Sequence, residues 1–116
     1  DLLLKIRVKD KPGFRREGMD VYTTLKVPFS TAVLGGEVPV ETIYGTVLCR
    51  IREGTQSGTK IRLKGKGIVS MKDASVRGDE YAVVEIEVPR HLSDEAKQKL
   101  KEFDDACGRR RYRRGA

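Results

Sequence analysis

Apolar and polar residues alternate along most of this chain, and the dominant period is two. Leu2, Leu4, Ile6 and Val8 alternate with Leu3, Lys5, Arg7 and Lys9, which predicts a strand ended by a turn at Lys11-Pro12-Gly13. A second run sets Val21, Thr23, Leu25, Val27 and Phe29 against Tyr22, Thr24, Lys26 and Pro28. A third strand is expected from about Glu37 to Ile43 and a fourth from Thr46 to Arg52, with Tyr44-Gly45 as the hairpin turn between them. Lys60 to Lys64 and Tyr81 to Val88 complete the set. Strands this short and evenly spaced predict an all-β fold, an antiparallel β-sandwich.

Two helices interrupt the alternation. The first is about one turn long: Ser30 or Thr31 caps it, Ala32, Val33 and Leu34 fill it, and Gly35 ends it, so that it plugs one end of the sandwich. The second runs from about Asp94 to Asp105 at the C-terminal end. Ser93 is its N-cap, Asp94 and Glu95 place negative charge at the positive end of the helix dipole, and Lys97, Lys99 and Lys101 lie further along. Its Ala96, Leu100 and Phe103 form one narrow apolar stripe, preceded by Leu92. The stripe packs either on its own domain or on a second subunit. Burying Leu92, Leu100 and Phe103 contributes roughly 5 to 9 kcal/mol, whereas association costs about 4 to 15 kcal/mol. A dimer built on those three side chains alone is therefore concentration-dependent.

At 116 residues, 38% apolar and 35% charged, the chain is the size and composition of one soluble globular domain. No apolar run approaches the roughly 18 residues that cross a membrane. Cys49 and Cys107 are too far apart to be a redox or metal pair, and a reducing compartment fits best. Cys49 shares a strand face with Val47 and Ile51 and reads as a small buried hydrophobe. The net charge of +7 owes five charges to Arg109, Arg110, Arg111, Arg113 and Arg114, so the basicity belongs to the tail. That segment has the Arg clustering of an RNA-binding arm, but a solvated terminus is the plainer expectation.

The candidate chemistry is thin. Gly54 to Lys60 departs from a phosphate-binding loop in glycine spacing and in the order Thr59-Lys60, and Gly65-x-Gly67 has Ser70 where a dinucleotide fingerprint needs glycine. His91 is the sole histidine and has no nucleophile motif around it. Glu85 and Glu87 alternate with Val84, Ile86 and Val88 as solvated positions do, and Arg77-Gly78-Asp79 reads as turn chemistry. No catalytic residue, cofactor or metal site is expected.

What remains distinctive is the stretch E-G-T-Q-S-G-T-K-I-R-L-K-G-K-G from Glu53 to Gly67. Gly54 and Gly58 bracket a turn, Ile61 and Leu63 point one way, and Lys60, Arg62 and Lys64 point the other. Together with Phe14, Arg16, Gly18, Asp20 and the run Ala32-Val33-Leu34-Gly35-Gly36, it resembles the C-terminal region of the DnaJ family of heat-shock co-chaperones. The resemblance implies a strand of the preceding subdomain over 1–11, a second β-sandwich subdomain over 12–89 and a dimerisation segment over 90–106 with Leu92, Ala96, Leu100 and Phe103; the basic tail over 107–116 is expected to lack order from its charge and terminal position.

The same resemblance implies unfolded client polypeptides, a homodimer and a DnaK-type chaperone as partners, and a cytoplasmic or organelle-matrix location. Nucleic acid and membrane are not expected. The family's His-Pro-Asp motif, Gly/Phe-rich segment and Cys-x-x-Cys-x-Gly-x-Gly repeats are absent, so a piece of a longer protein is expected, with the DnaK contact made by a J domain outside this chain. Val69 stands where members commonly have proline. A module that accepts many unfolded sequences reads backbone groups and scattered apolar side chains, which strand addition beside an apolar groove does. Such a groove is expected beside the Val21 to Val27 and Glu37 to Ile43 strands, with Leu25, Val27, Val38 and Val40 as candidates; each also reads as plain core. The alternative function is a basic nucleic-acid-binding β-domain using Lys60, Arg62, Lys64, Lys66 and the arginine tail.

Overall fold

The computed structural model describes residues 13–108, so the expected strand from Leu2 to Val8 and the arginine tail lie outside the described residues. The elements in chain order are β1 (Phe14–Glu17), β2 (Asp20–Pro28), α1 (Phe29–Leu34), β3 (Gly36–Thr42), β4 (Gly45–Ile51), β5 (Lys60–Leu63), β6 (Glu80–Glu87) and α2 (Asp94–Ala106). Two layers result, a four-stranded sheet ordered β1-β2-β6-β5 and the β3-β4 hairpin. Their inward faces share one core: Leu25 and Val27 from β2, Ala82 and Val84 from β6, Val38 and Val40 from β3, Cys49 and Ile51 from β4, closed by Ala32 of α1. The alternation of apolar residues feeds this core directly, because every second side chain of a strand points the same way. A smaller cluster joins Val21 and Ile43, with Phe14, Tyr44 and Ile68 packed on it.

The antiparallel expectation, which covers the sandwich as a whole and includes no β1, holds for the β5-β6 and β3-β4 pairs. The β1-β2 pair is antiparallel too, but β2 and β6 run parallel, in register from Val21 opposite Glu80 to Pro28 opposite Glu87. The long connection through α1, the hairpin and β5 is what allows it, since parallel neighbours need a crossover and not a tight turn. β1 was not foreseen: only four residues long, it offers Phe14 and then three exposed charged positions, too little alternation to register.

Helix α1 begins earlier than expected. Pro28, at φ −58°, is the N-cap and no side chain caps the helix, which moves Phe29 from strand to helix and places Ser30 and Thr31 inside the first turn. The expected plug is present in Ala32, which is buried while its carbonyl accepts from the Gly54 and Thr55 N–H groups at 2.8 and 3.1 Å. The hairpin turn is shifted by one residue: Thr42 pairs with Gly45 across the loop Ile43-Tyr44. Thr42 Oγ1 accepts from the Tyr44 N–H at 2.9 Å and donates to the Gly45 carbonyl at 2.7 Å. Helix α2 starts where Ser93 predicts, with Ser93 Oγ accepting from the Ala96 N–H at 3.1 Å.

Candidate functional site

The four candidate groove residues come together, but inside the molecule. Leu25, Val27, Val38 and Val40 are 7%, 0%, 7% and 1% exposed and sit in the common core. Strand β2 is also an interior strand, flanked by β1 and β6, and offers no edge for pairing. Their inward alternation, the same feature that made them look like a groove, is what closes them into the core.

The surface apolar groups lie elsewhere. Helix α2 buries none of its residues. Leu92 and Ala96 are half-buried, Leu100 is 42% exposed and Phe103 is 38% exposed. Phe103 meets the ring of Phe29 edge to face, with centroids 6.4 Å apart, so the stripe touches its own domain there, while Leu100 keeps a large exposed fraction. Beside Phe29 opens a cleft of about 770 Å³ whose lining includes Pro28, Ile86, Val88 and Pro89. Phe29 was not singled out from sequence; its place between a proline and a helix start was the available signal.

Gly65 and Gly67 of the distinctive stretch and the Arg77-Gly78-Asp79 tripeptide form one structural knot, while Gly54 and Gly58 bond elsewhere, to the Ala32 and Val84 carbonyls. The Gly67 N–H donates to the Gly78 carbonyl at 2.9 Å, the Ile68 N–H to the Met19 carbonyl at 2.7 Å, and the Val21 N–H to the Asp79 carbonyl at 2.9 Å. Asp79 Oδ1 accepts from the Gly65 N–H at 2.8 Å and its Oδ2 from Arg62 Nε at 2.7 Å, while Asp20 Oδ1 accepts from the Asp79 N–H at 2.7 Å. The Gly65 N–H first, and the Arg62 guanidinium second, hold the Asp79 carboxyl below the usual carboxylate range, and the same contact raises Arg62. Tyr44 Oη donates to the Gly67 carbonyl at 2.5 Å, with Arg77 stacked 4.7 Å from the Tyr44 ring centre.

On the outer face of the four-stranded sheet, Arg15, Tyr22, Tyr81 and Arg62 lie in one row across the strands. The two tyrosine rings stack at 5.2 Å, and Arg15 and Lys60 lie 4.8 and 5.7 Å from the Tyr22 centre. Arg15 also pairs with Glu17 and Arg62 with Asp79, so two of these cations already serve the fold. His91 and Cys107 are exposed; Cys49 is buried, and burial pushes its thiol up. Among the described residues no group of three His, Cys, Asp or Glu side chains is placed to hold a metal ion. No helix among them is long and apolar enough to cross a membrane.

Residues 1–89 match the family model described as the DnaJ C terminal domain. The chain is 44% identical over 108 residues to Chaperone protein DnaJ of Clostridioides difficile, covering 93% of this chain and 28% of that protein. It is 42% identical over 104 residues to Chaperone protein DnaJ of Burkholderia thailandensis (90% and 27%) and 39% identical over 106 residues to that of Lachnospira eligens (91% and 28%). The chain thus spans under a third of the length of these relatives.

Proposed function

Because the chain belongs to the DnaJ C-terminal domain family, we propose that it acts without catalysis, holding unfolded polypeptide and pairing with a second copy of itself, and so supports delivery of clients to a DnaK-type chaperone. The family match carries this reading. A cytoplasmic setting is consistent with two unpaired cysteines, one of them exposed. The contact with the DnaK partner belongs to a part of the protein beyond this chain.

Homodimerisation is supported by α2. Leu100 and Phe103 are already more than half covered in the single chain, so their further burial contributes roughly half or less of the full side-chain figure. That falls short of the association cost, so the reading assigns further contact to the cleft beside Phe29, where Pro28, Val88 and Pro89 stand among Lys26, Glu85, Glu87 and Arg90. Sedimentation velocity across a concentration series tests it. Leu100→Asp is expected to give a monomer at concentrations where the parent chain is dimeric, and a variant that self-associates normally removes α2 from the interface.

Client binding is tested by fluorescence anisotropy of a labelled, unstructured apolar peptide at low and high salt, with single-stranded RNA as competitor. Binding that survives both is expected. Loss of peptide to salt and RNA, with RNA bound in its place, would instead assign the basic residues around Lys60 to polyanions.

A further inference from the structure

We infer that the tyrosine row on the outer face of the four-stranded sheet is a docking site for an isolated acidic side chain of a partner polypeptide, its carboxylate held by Arg15, Lys60 and the Tyr22 and Tyr81 hydroxyls. The site is separate from the apolar client contact proposed above. Strand alternation builds it. Val21 and Leu25 of β2 and Ala82 and Val84 of β6 turn into the core, so Tyr22 and Tyr81 turn out, opposite each other in the parallel register. Arg15 of β1 and Arg62 of β5 stand at the two ends of the row.

The donors gathered there outnumber the acceptors. The Arg15 guanidinium and the Lys60 ammonium lie 4.8 and 5.7 Å from the same Tyr22 ring centre, so one ring draws two like charges together. Glu17 pairs with Arg15 and Asp79 with Arg62, but among the described residues Lys60 has no carboxylate partner. Each arginine gives one nitrogen to its acid and keeps the others for a second partner, with 64% of the Arg15 side chain and 60% of the Arg62 side chain exposed. The half-buried Tyr44 spends its hydroxyl on the Gly67 carbonyl, whereas among the described residues the Tyr22 and Tyr81 hydroxyls bond to no protein group. A carboxylate brings the acceptor lone pairs that this set of donors lacks, and such charge-assisted bonds are the strong ones.

The surroundings select the kind of anion. Tyr22 has Tyr81 stacked at 5.2 Å on one side and Arg15 on the other, and Arg62 is the far neighbour of Tyr81, so the pair offers a nucleobase no open platform. Glu17 and Asp79 stand at opposite ends of the row, and a run of phosphates laid along it would meet both acids. One carboxylate over the middle meets neither. The next row on this face is Thr24, Val83 and Lys60, where the half-buried Val83 gives an uncharged neighbour of the acid an apolar contact.

NMR titration of the isotope-labelled chain with a short serine-alanine peptide carrying one central glutamate, and with its glutamine counterpart, tests this. The Tyr22, Thr24, Tyr81 and Val83 amides are expected to shift, and the glutamate peptide to bind at least about tenfold more tightly than the glutamine one. Lys60→Gln changes an exposed side chain, and Tyr22→Phe removes a hydroxyl while keeping the ring. Each is expected to weaken the glutamate peptide roughly fivefold and to leave binding of the acid-free apolar peptide unchanged. Equal binding of the two peptides overturns the inference, as does a Lys60→Gln variant that binds glutamate like the parent chain. A single-stranded oligonucleotide that outcompetes the peptide and depends on Lys60 assigns the row to nucleic acid and overturns it. Loss of the apolar peptide in either variant makes the row part of the client contact, which overturns it as well.

Discussion

A Cβ on Gly78 would lie 2.0 Å from the Met19 carbonyl oxygen and 2.4 Å from its carbon, both backbone atoms. Gly78→Ala therefore forces the β1-β2 turn away from the 67–79 loop and is expected to cost about 3 kcal/mol, as severe overpacking does. Gly18→Ala tests the other reason for glycine: its φ of 64° is left-handed but a Cβ there meets nothing within 4 Å, so about 1 to 2 kcal/mol is expected. Urea denaturation of the two variants checks the order. Asp79 ties the same knot electrostatically. A carboxyl whose folded value is depressed stabilises the fold fully above its unfolded value near 4, and that contribution is lost as pH falls through the folded value. The parent chain is expected to lose stability below about pH 4, and Asp79→Asn to flatten that slope in urea midpoints compared at neutral and acid pH. Asp73, lowered by the Ser75 hydroxyl and N–H, adds a part that this variant leaves in place.

Helix α2 is capped at its start by Ser93 and meets α1 through the Phe103 and Phe29 rings. Ser93→Ala removes the acceptor for the Ala96 N–H and is expected to cost about 1 kcal/mol of helix stability. Since α2 buries no residue, the loss appears as faster exchange of the Ala96 amide, roughly fivefold for that energy, with the global urea midpoint unchanged. A fall in the global midpoint would mean that α2 is part of the cooperative core. This helix was legible because its signals are local: one cap, two acids, one stripe. The strands with clean alternation were legible for the same reason. The parallel β2-β6 pairing was not, because no short window of sequence carries the direction in which distant strands meet. Leu25, Val27, Val38 and Val40 read from sequence both as groove candidates and as plain core, and they lie in the core; period two marks a face without saying whether another layer covers it. Pro39 was the readable signal for the sheet edge, since proline within a strand run belongs on an edge with its missing N–H outward.

At the scale of the whole molecule the client contact and the α2 stripe are separate proposals, and experiment tells them apart. One domain gives a client few contacts, which makes binding weak. Two domains joined in a dimer convert the second contact of a long client into an intramolecular event, and avidity rises by roughly a hundredfold or more when one chain spans both. Leu100→Asp removes the pairing, so it is expected to bind a short apolar peptide with the affinity of the parent chain while losing most of the affinity for an unfolded protein long enough to reach two domains. Anisotropy titrations with the short and the long ligand, run on the variant and the parent chain, give a two-by-two pattern. If Leu100→Asp weakens the short peptide as much as the long one, α2 itself touches the client, and the division of labour between client contact and terminal helix is wrong.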